Sequence, residues 1–352
     1  MSLTLLVPDL FWPDLDATEP YVGLVAPRLA RLLGHGRHAP VEADCVESWC
    51  AHATGESPSR APFAAWARLG RGAWTGPAVF ASIVHLEARG AELFLTDGAA
   101  LDVSDDESAA LLASVAPLFA DDGLAFEPHD PHLWCVTRAE PIHLETTPVA
   151  AAHGRSIDAL RPRGDDARRF ASIGAEIEML LHDHPVNTAR ELRGLPTLNA
   201  VWWWGAGGRT AADLFAALDR SGGVLPDEAR SRWRHVVGRP DWLHGWARTQ
   251  RGTTVDEREA LTGSNPGPTL ILDERLRGPA MRGDLAAWRQ AVAQFDAGLL
   301  DRALGAVRAG RHSTLHLVGL GARRGIEVLW TPADRWKLWR RARPLDASLL
   351  GS

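Results

Sequence analysis

The sequence predicts an α/β protein of mixed sheets with flanking helices, and three observations carry that expectation. Short apolar runs of strand length recur along the whole chain, from Leu3–Val7 to Ile326–Trp330. They alternate with segments whose apolar residues fall three and four apart, the spacing of one helical face. At 352 residues, 45% hydrophobic and 23% charged, the chain has the length and composition of a globular protein with a substantial core.

Taken in order, Leu3 to Val7 form a strand that ends at Asp9, and Val25, Leu29 and Leu32 mark a helix. Gly34 to Pro40 reads as a turn, residues 52 to 62 as a surface connection, and Phe63 to Leu69 as a short helix. Val79–Glu87 and Ala91–Thr96 flank Arg89-Gly90, a hairpin signal. Ser104 with Glu107 three positions on is a capping box, opening a helix that carries Leu111, Leu112, Val115, Leu118 and Phe119. Leu124–Phe126 and Leu133–Thr137 complete a β-β-α-β-β order. Phe170, Ile173, Ile177 and Leu180 lie on one helical face, and this helix stops near His184 because Pro185 disfavours helical geometry before it. Ala200–Trp204 is a buried strand. Asp284 caps a long helix with Leu285, Trp288, Val292, Phe295 and Leu299, whose stripe runs on to Val307. Thr314–Leu320 and Ile326–Trp330 form a closing hairpin.

Composition narrows the function classes. The net charge is −6, which argues against a general nucleic-acid binder, although Arg335 to Arg343 is locally basic and reads as an amphipathic terminal helix. Three cysteines, Cys45, Cys50 and Cys135, do not make a disulfide framework. The apolar start is too short for a signal core or a membrane span and is halted by Pro8, so a cytoplasmic protein without membrane or nucleic-acid partners is expected.

The densest polar pattern lies between residues 176 and 210. His184, Asn187, Arg190 and Asn199 precede the strand Ala200–Trp204, which runs into Gly205-Ala206-Gly207-Gly208-Arg209-Thr210. A glycine turn before a helix presents unpaired backbone N–H groups to an anion, and Arg209 adds a charge. The turn is not a Walker A loop, which needs a Lys before the Thr, nor a full dinucleotide fingerprint, since Ala211 stands where a final glycine is wanted. Two readings stay open. Either Thr210 caps a helix and the amides satisfy loop backbone, or His184, Asn187, Arg190, Asn199, Gly205, Gly207 and Arg209 line a small-anion pocket. The tryptophan triplet reads as core.

The run Leu181–Arg190 (LHDHPVNTAR), with Gly194-Leu195-Pro196 and Asn199–Gly207 (NAVWWWGAG), resembles the RpfE-type family of bacterial regulatory proteins. That family looks like a shortened relative of the archaeal-type cofactor-independent phosphoglycerate mutases. The likeness extends through Ala81–Leu86, Ser104, His132-Leu133-Trp134 and Trp336–Arg341. It implies a reduced alkaline-phosphatase-like scaffold with the β-β-α-β-β segment as an insert. Three segments follow: 1–75, an inserted α+β domain over 76–210, and a C-terminal 211–352 that packs with the first.

The resemblance also implies a two-metal phosphotransfer site of Asp, His and a Ser nucleophile, since in-line transfer needs both entering and leaving oxygens stabilised. Asp9 ends the first strand where the superfamily places a ligand, yet no serine nucleophile follows it convincingly. His312 and His316 lack nearby acids in sequence. The mutase Arg before the final Gly-Ala-Gly corresponds to Trp204, and a second substrate Arg falls around His132 or Trp134. A tryptophan removes the bidentate phosphate clamp. The expectation is therefore a protein without cofactor that binds a small anion or a regulatory partner. A metal-dependent (Mn, Mg or Zn) mutase or phosphotransferase using Asp9, and a purely structural interaction protein, are the alternatives.

Remaining candidates are weaker. His182, Asp183 and His184 point to different sides of a helix end. His129, Asp130, His132 and Cys135 have a spacing that zinc tolerates, without a second cluster. No Gly-x-Ser-x-Gly elbow occurs.

Overall fold

Leu3 to Val7 can be buried on both faces only if neighbouring strands satisfy their backbone on both edges, and this is how the first strand is used. The computed structural model describes residues 1–72, 76–207, 232–263, 267–337 and 339–351. Twelve strands occur among them: β1 (Ser2–Val7), β2 (Arg37–Val41), β3 (Ala78–Arg89), β4 (Glu92–Asp97), β5 (Ala125–Asp130), β6 (Leu133–Thr137), β7 (Ala200–Trp204), β8 (His235–Val237), β9 (Thr253–Thr254), β10 (Thr269–Leu272), β11 (Thr314–Leu320) and β12 (Gly325–Trp330). The chain divides into two units, Met1–Trp49 with Glu228–Ser352, and Cys50–Asp227. The fold is α/β, with one mixed and one antiparallel sheet.

In the first unit the strand order is β2-β12-β11-β1-β10-β8-β9. β1 lies parallel between β10 and β11, β8 and β9 continue the parallel side, and β12 and β2 add an antiparallel edge. Leu3, Leu5 and Val7 share a core with Leu29 and Leu32 of the helix Pro27–His35, and with Trp288, Val292 and Phe295 of the helix Leu285–Phe295. The expected long stripe is continuous, because a π turn at Asp296–Leu300 links Leu285–Phe295 to Asp301–Arg308.

Two expectations fail here. Residues 37–41 form β2 and not a turn: the strand is exposed and carries a proline, so only its pairing with β12 reveals it. Arg335 to Arg343 is not an amphipathic helix. A 3₁₀ turn ends at Trp336, and the run beyond it is tied to the helix Pro27–His35, with the Arg343 N–H donating to the Ala30 carbonyl (2.9 Å).

The second unit is antiparallel. β3 pairs with β6, β7 and β4 in overlapping stretches, and β5 closes on β6. The helix Asp105–Val115 sits between the two hairpins and starts with the Ser104–Glu107 capping box, as the sequence suggests. The helix Ala167–His182 buries Phe170, Ile173, Ile177 and Leu181. All three rings of Trp202–Trp204 are core. The Trp203 ring meets Phe170 edge-on at 5.1 Å, Trp204 tilts against Phe80 at 4.8 Å, and Trp202 donates to the Thr147 carbonyl (2.9 Å). The short helix Phe63–Gly70 belongs to this unit: Ala64 N–H donates to the Gly205 carbonyl (3.0 Å) and Phe63 packs on Trp204. The sequence segmentation places its boundaries at 75 and 210, whereas these contacts carry residues from Cys50 onward into the second unit.

No helix among the described residues is long and apolar enough to cross a membrane. The three cysteines are free and buried.

Gly205 closes β7 with φ +73°, and a Cβ there would stand 2.9 Å from Phe63 Cβ. Gly205→Ala is expected to destabilise the unit by more than about 1 kcal/mol. Gly90→Ala, at φ +66° with open space around it, meets only the backbone cost of about 1 kcal/mol. Urea unfolding of the two variants checks the order.

Candidate functional site

The polar run before β7 is built into the protein and not presented by it. Pro185 starts a second helix, Pro185–Leu192, where the sequence suggests only a helix exit, and its fixed φ suits the first helical position. His184 is the N-cap: its Nδ1 accepts from the Val186 N–H (3.2 Å), its Nε2 lies 3.0 Å from Ser114 Oγ, and burial lowers its pKa. Asn187 donates to the Leu181 and Leu198 carbonyls (2.7 and 3.0 Å) and accepts from the Leu198 N–H (2.7 Å). Asn199 mimics a strand neighbour, accepting from Leu86 N–H (2.8 Å) and donating to its carbonyl (2.9 Å).

Arg190 is fully buried. Its Nε donates to the Pro196 carbonyl, one terminal nitrogen to Glu107 and the other to the Leu101 carbonyl, each at 2.8 Å. Glu107 also receives Arg193 at 3.4 Å. The guanidinium thus holds the start of the capped helix against the loop before β7. Gly205 donates to Thr146 Oγ1 (2.9 Å), Gly207 has φ +79°, and Gly208, Arg209 and Thr210 lie outside the described residues. His184, Asn187, Arg190 and Asn199 therefore serve local structure, because amides and a guanidinium beside buried carbonyls satisfy those carbonyls first.

A second polar gathering lies at the carboxyl ends of the parallel strands, where open α/β sheets bind ligands. Asp9 follows β1, Asp273 and Glu274 follow β10, Arg239 follows β8, and Glu47 comes from the helix Val46–Ala53. Arg277 stands among the acids, 3.6 Å from Glu47 and 3.8 Å from Glu274. Asp273 accepts from the Arg275 N–H and Nε with one oxygen. Its other oxygen, and Oε2 of Glu47, are buried with no hydrogen-bond partner among the described residues. Asp9 adopts φ +54°, which aspartate tolerates better than most residues, and its carbonyl accepts from Trp288 Nε1 (2.8 Å).

Electrostatics follow from burial. The Asp9 carboxyl is raised to about 6: burial is the largest cause, Arg277 opposes it, and Glu47 and Glu274 add to it. Burial raises Glu274 as well, again against Arg277. Of this cluster the sequence marks only Asp9. Asp273 carries the same signal, an acid just after a buried apolar run (Thr269–Leu272), but Glu47, Arg239 and Arg277 are joined to it only by tertiary structure.

Metal ligation finds little support among these groups. No three His, Cys, Asp or Glu side chains among the described residues are placed to hold a metal ion. Two of the acids at the strand ends, Glu47 and Glu274, pair with a guanidinium, which repels a divalent cation, and among the described residues no imidazole joins them. His129, Asp130, His132 and Cys135 do not converge either: His129 packs edge-on against Phe80, and the Cys135 sulfur receives Arg68 (3.9 Å). His316 pairs instead with Glu327 across β11 and β12 (2.7 Å), which lowers the Glu327 pKa. His182 and Asp183 are solvated.

No family model matches the chain. Over 61 residues it is 41% identical to the 2,3-bisphosphoglycerate-independent phosphoglycerate mutase of Methanothrix thermoacetophila, a stretch covering 17% of this chain and 16% of that protein. Among solved structures it is similar to the PH0037 protein of Pyrococcus horikoshii, with a TM-score of 0.56 at 12% identity over 99% of this chain and 91% of that one. It is also similar to the cofactor-independent phosphoglycerate mutase of Thermoplasma acidophilum, at TM-score 0.46 and 16% identity, covering 100% and 94% of the two chains. The chain therefore shares the α/β fold of the PH0037 protein along nearly its whole length.

Two outcomes follow from these geometries. Arg190→Met leaves two buried carbonyls unpaired and Glu107 with only Arg193 and the Ser104 N–H, and is expected to cost about 2–4 kcal/mol in urea unfolding; Arg190→Lys recovers little, since an ammonium cannot span the three acceptors. For Asp9, a carboxyl raised from 3.8 to about 6 holds its proton in the folded state after the unfolded chain has lost it. Stability therefore falls as pH rises from about 4 to 6, and above that an ionised Asp9 costs on the order of 3 kcal/mol. Asp9→Asn should raise the melting temperature at pH 8 and lose that advantage at pH values below about 4, a comparison calorimetry makes directly.

Proposed function

We propose that this chain is a non-catalytic protein of the RpfE-type regulatory kind, in which a phosphoglycerate-mutase-like scaffold serves binding and not turnover. One observation carries the reading: where the parallel strands end, a guanidinium, Arg277, stands among the acids and pairs with Glu47 and Glu274. Two-metal phosphoryl transfer needs carboxylates and imidazoles converging on cations beside a nucleophile. A guanidinium among the acids supplies countercharge without Lewis acidity.

The binding role takes either a small anion or a regulatory partner. With Asn187 and Arg190 committed to backbone and Glu107, and the Gly205 N–H to Thr146, an anion would rely on the N–H groups of Ala206 and Gly207 and on Arg209. A second reading, a metal-dependent phosphotransferase, draws on the orphaned carboxylate oxygens of Glu47 and Asp273, which a cation would satisfy.

Thermal unfolding followed by tryptophan fluorescence, with 3-phosphoglycerate in manganese and again in EDTA, separates these readings, since a ligand of the folded state raises the midpoint by mass action. The expected result is no manganese-dependent rise and no mutase turnover. A rise that needs manganese and disappears in Asp9→Asn would overturn the proposal and establish the phosphotransferase, whereas a metal-independent rise lost in Arg209→Ala identifies the small anion as the ligand.

A further inference from the structure

The chain carries a net charge of −6, yet its basic C-terminal run displays two large apolar rings to solvent. Trp336 is 64% exposed and Trp339 78%. The Arg335 guanidinium lies 4.8 Å over the Trp336 ring, Arg341 is exposed in the same run, and Arg37 is exposed next to Gly36, whose carbonyl accepts from Arg340. Nothing in the core requires these indoles outside, and exposed tryptophans grouped with arginines are the composition of binding hot spots.

The run is preformed. Arg340 donates to the His35 and Gly36 carbonyls (3.5 and 3.1 Å), immediately before Arg37, and the His35 ring lies 2.9 Å from the Arg340 carbonyl and 3.2 Å from that of Asp334. Gly34 lies so close to the Arg341 carbonyl that no Cβ fits between them. Lys337 is held by Asp334. The segment is therefore pinned to the end of the helix Pro27–His35, and ordering it on binding costs little.

We propose that Arg37, Arg335, Trp336, Trp339 and Arg341 form a docking surface for an acidic segment of a partner protein. Carboxylates pair with guanidinium groups bidentately, and apolar side chains of the segment cover the indoles. Charge decides between this occupant and a polyanion. An extended nucleic acid or an anionic bilayer meets the negative remainder of the protein, while a short acidic segment feels the patch within a screening length of about 8 Å. The inference deepens the proposed binding role but uses none of the groups at the strand ends, so each fails without the other: manganese-dependent turnover would leave this surface in place.

Fluorescence anisotropy of a labelled peptide of alternating glutamate and leucine, titrated with the full chain, tests the proposal. In parallel, labelled oligothymidylate and vesicles of phosphatidylserine with phosphatidylcholine are titrated at the same salt. The peptide is expected to bind, and Trp339→Ala and Arg341→Ala each to weaken it at least about fivefold, with unchanged melting temperatures because both side chains are exposed. Absence of peptide binding, or equal affinity in the two variants, would overturn the proposal. So would tighter binding to vesicles or oligonucleotide, or self-association lost in the same variants, which would make a second copy the occupant.

Discussion

Hydrogen bonding along both edges of β1 is the constraint on which the first unit depends. An apolar strand with every core position filled cannot leave its N–H and C=O groups unpaired, and its partners β10 and β11 come from the far end of the chain. That pairing wraps residues 1–49 and 228–352 into one core. It also fixes where the strands end together, and hence brings Asp9, Asp273 and Arg239 to one edge. The chemistry of that edge is a consequence of the sheet: parallel strands deliver their C-terminal residues to the same side, and burial of the acids then demands a countercharge, which Arg277 supplies.

The second unit solves a similar problem with side chains. Between the helices and β7 the backbone bends too often to satisfy itself, and Asn187, Arg190 and Asn199 take the unpaired carbonyls and N–H groups. Arg190 is the most committed of them, since its three contacts join the start of one helix, the loop before β7 and the stretch after β4. A guanidinium can do this because its donors form a rigid fork, and Glu107 neutralises it without exposing either charge. The tryptophans of β7 complete the arrangement by filling both faces of the strand they occupy.

Both units thus place charge in the interior for reasons of architecture, and both resemble functional sites when viewed as lists of residues. The distinction lies in what each polar atom touches. Around Arg190 the acceptors are protein atoms already in position. Around Asp9 the charges are only partly satisfied, with two carboxylate oxygens lacking hydrogen-bond partners among the described residues and a carboxyl lifted to about 6 by burial.

Local patterns were legible in the sequence. The α/β class, the β-β-α-β-β insert, the Ser104 capping box, the strand Ala200–Trp204 and the closing hairpin are all visible there, because each depends on spacing or turn chemistry among near neighbours. Asp9 and the cluster around His184 to Asn199 were visible as unusual residues, but not for what they do. Whether Arg190 binds an anion or a carbonyl depends on Leu101 and Glu107, far away in sequence, and the partners of Asp9 arrive from β10 and the helix after it. Likewise β2 exists only through β12, and the basic run is held off a helical path by bonds to the end of the helix Pro27–His35. Periodicity and capping are local forces, which the sequence by itself determines; burial, pairing and the charge of a neighbour are set by contacts that only the tertiary structure decides.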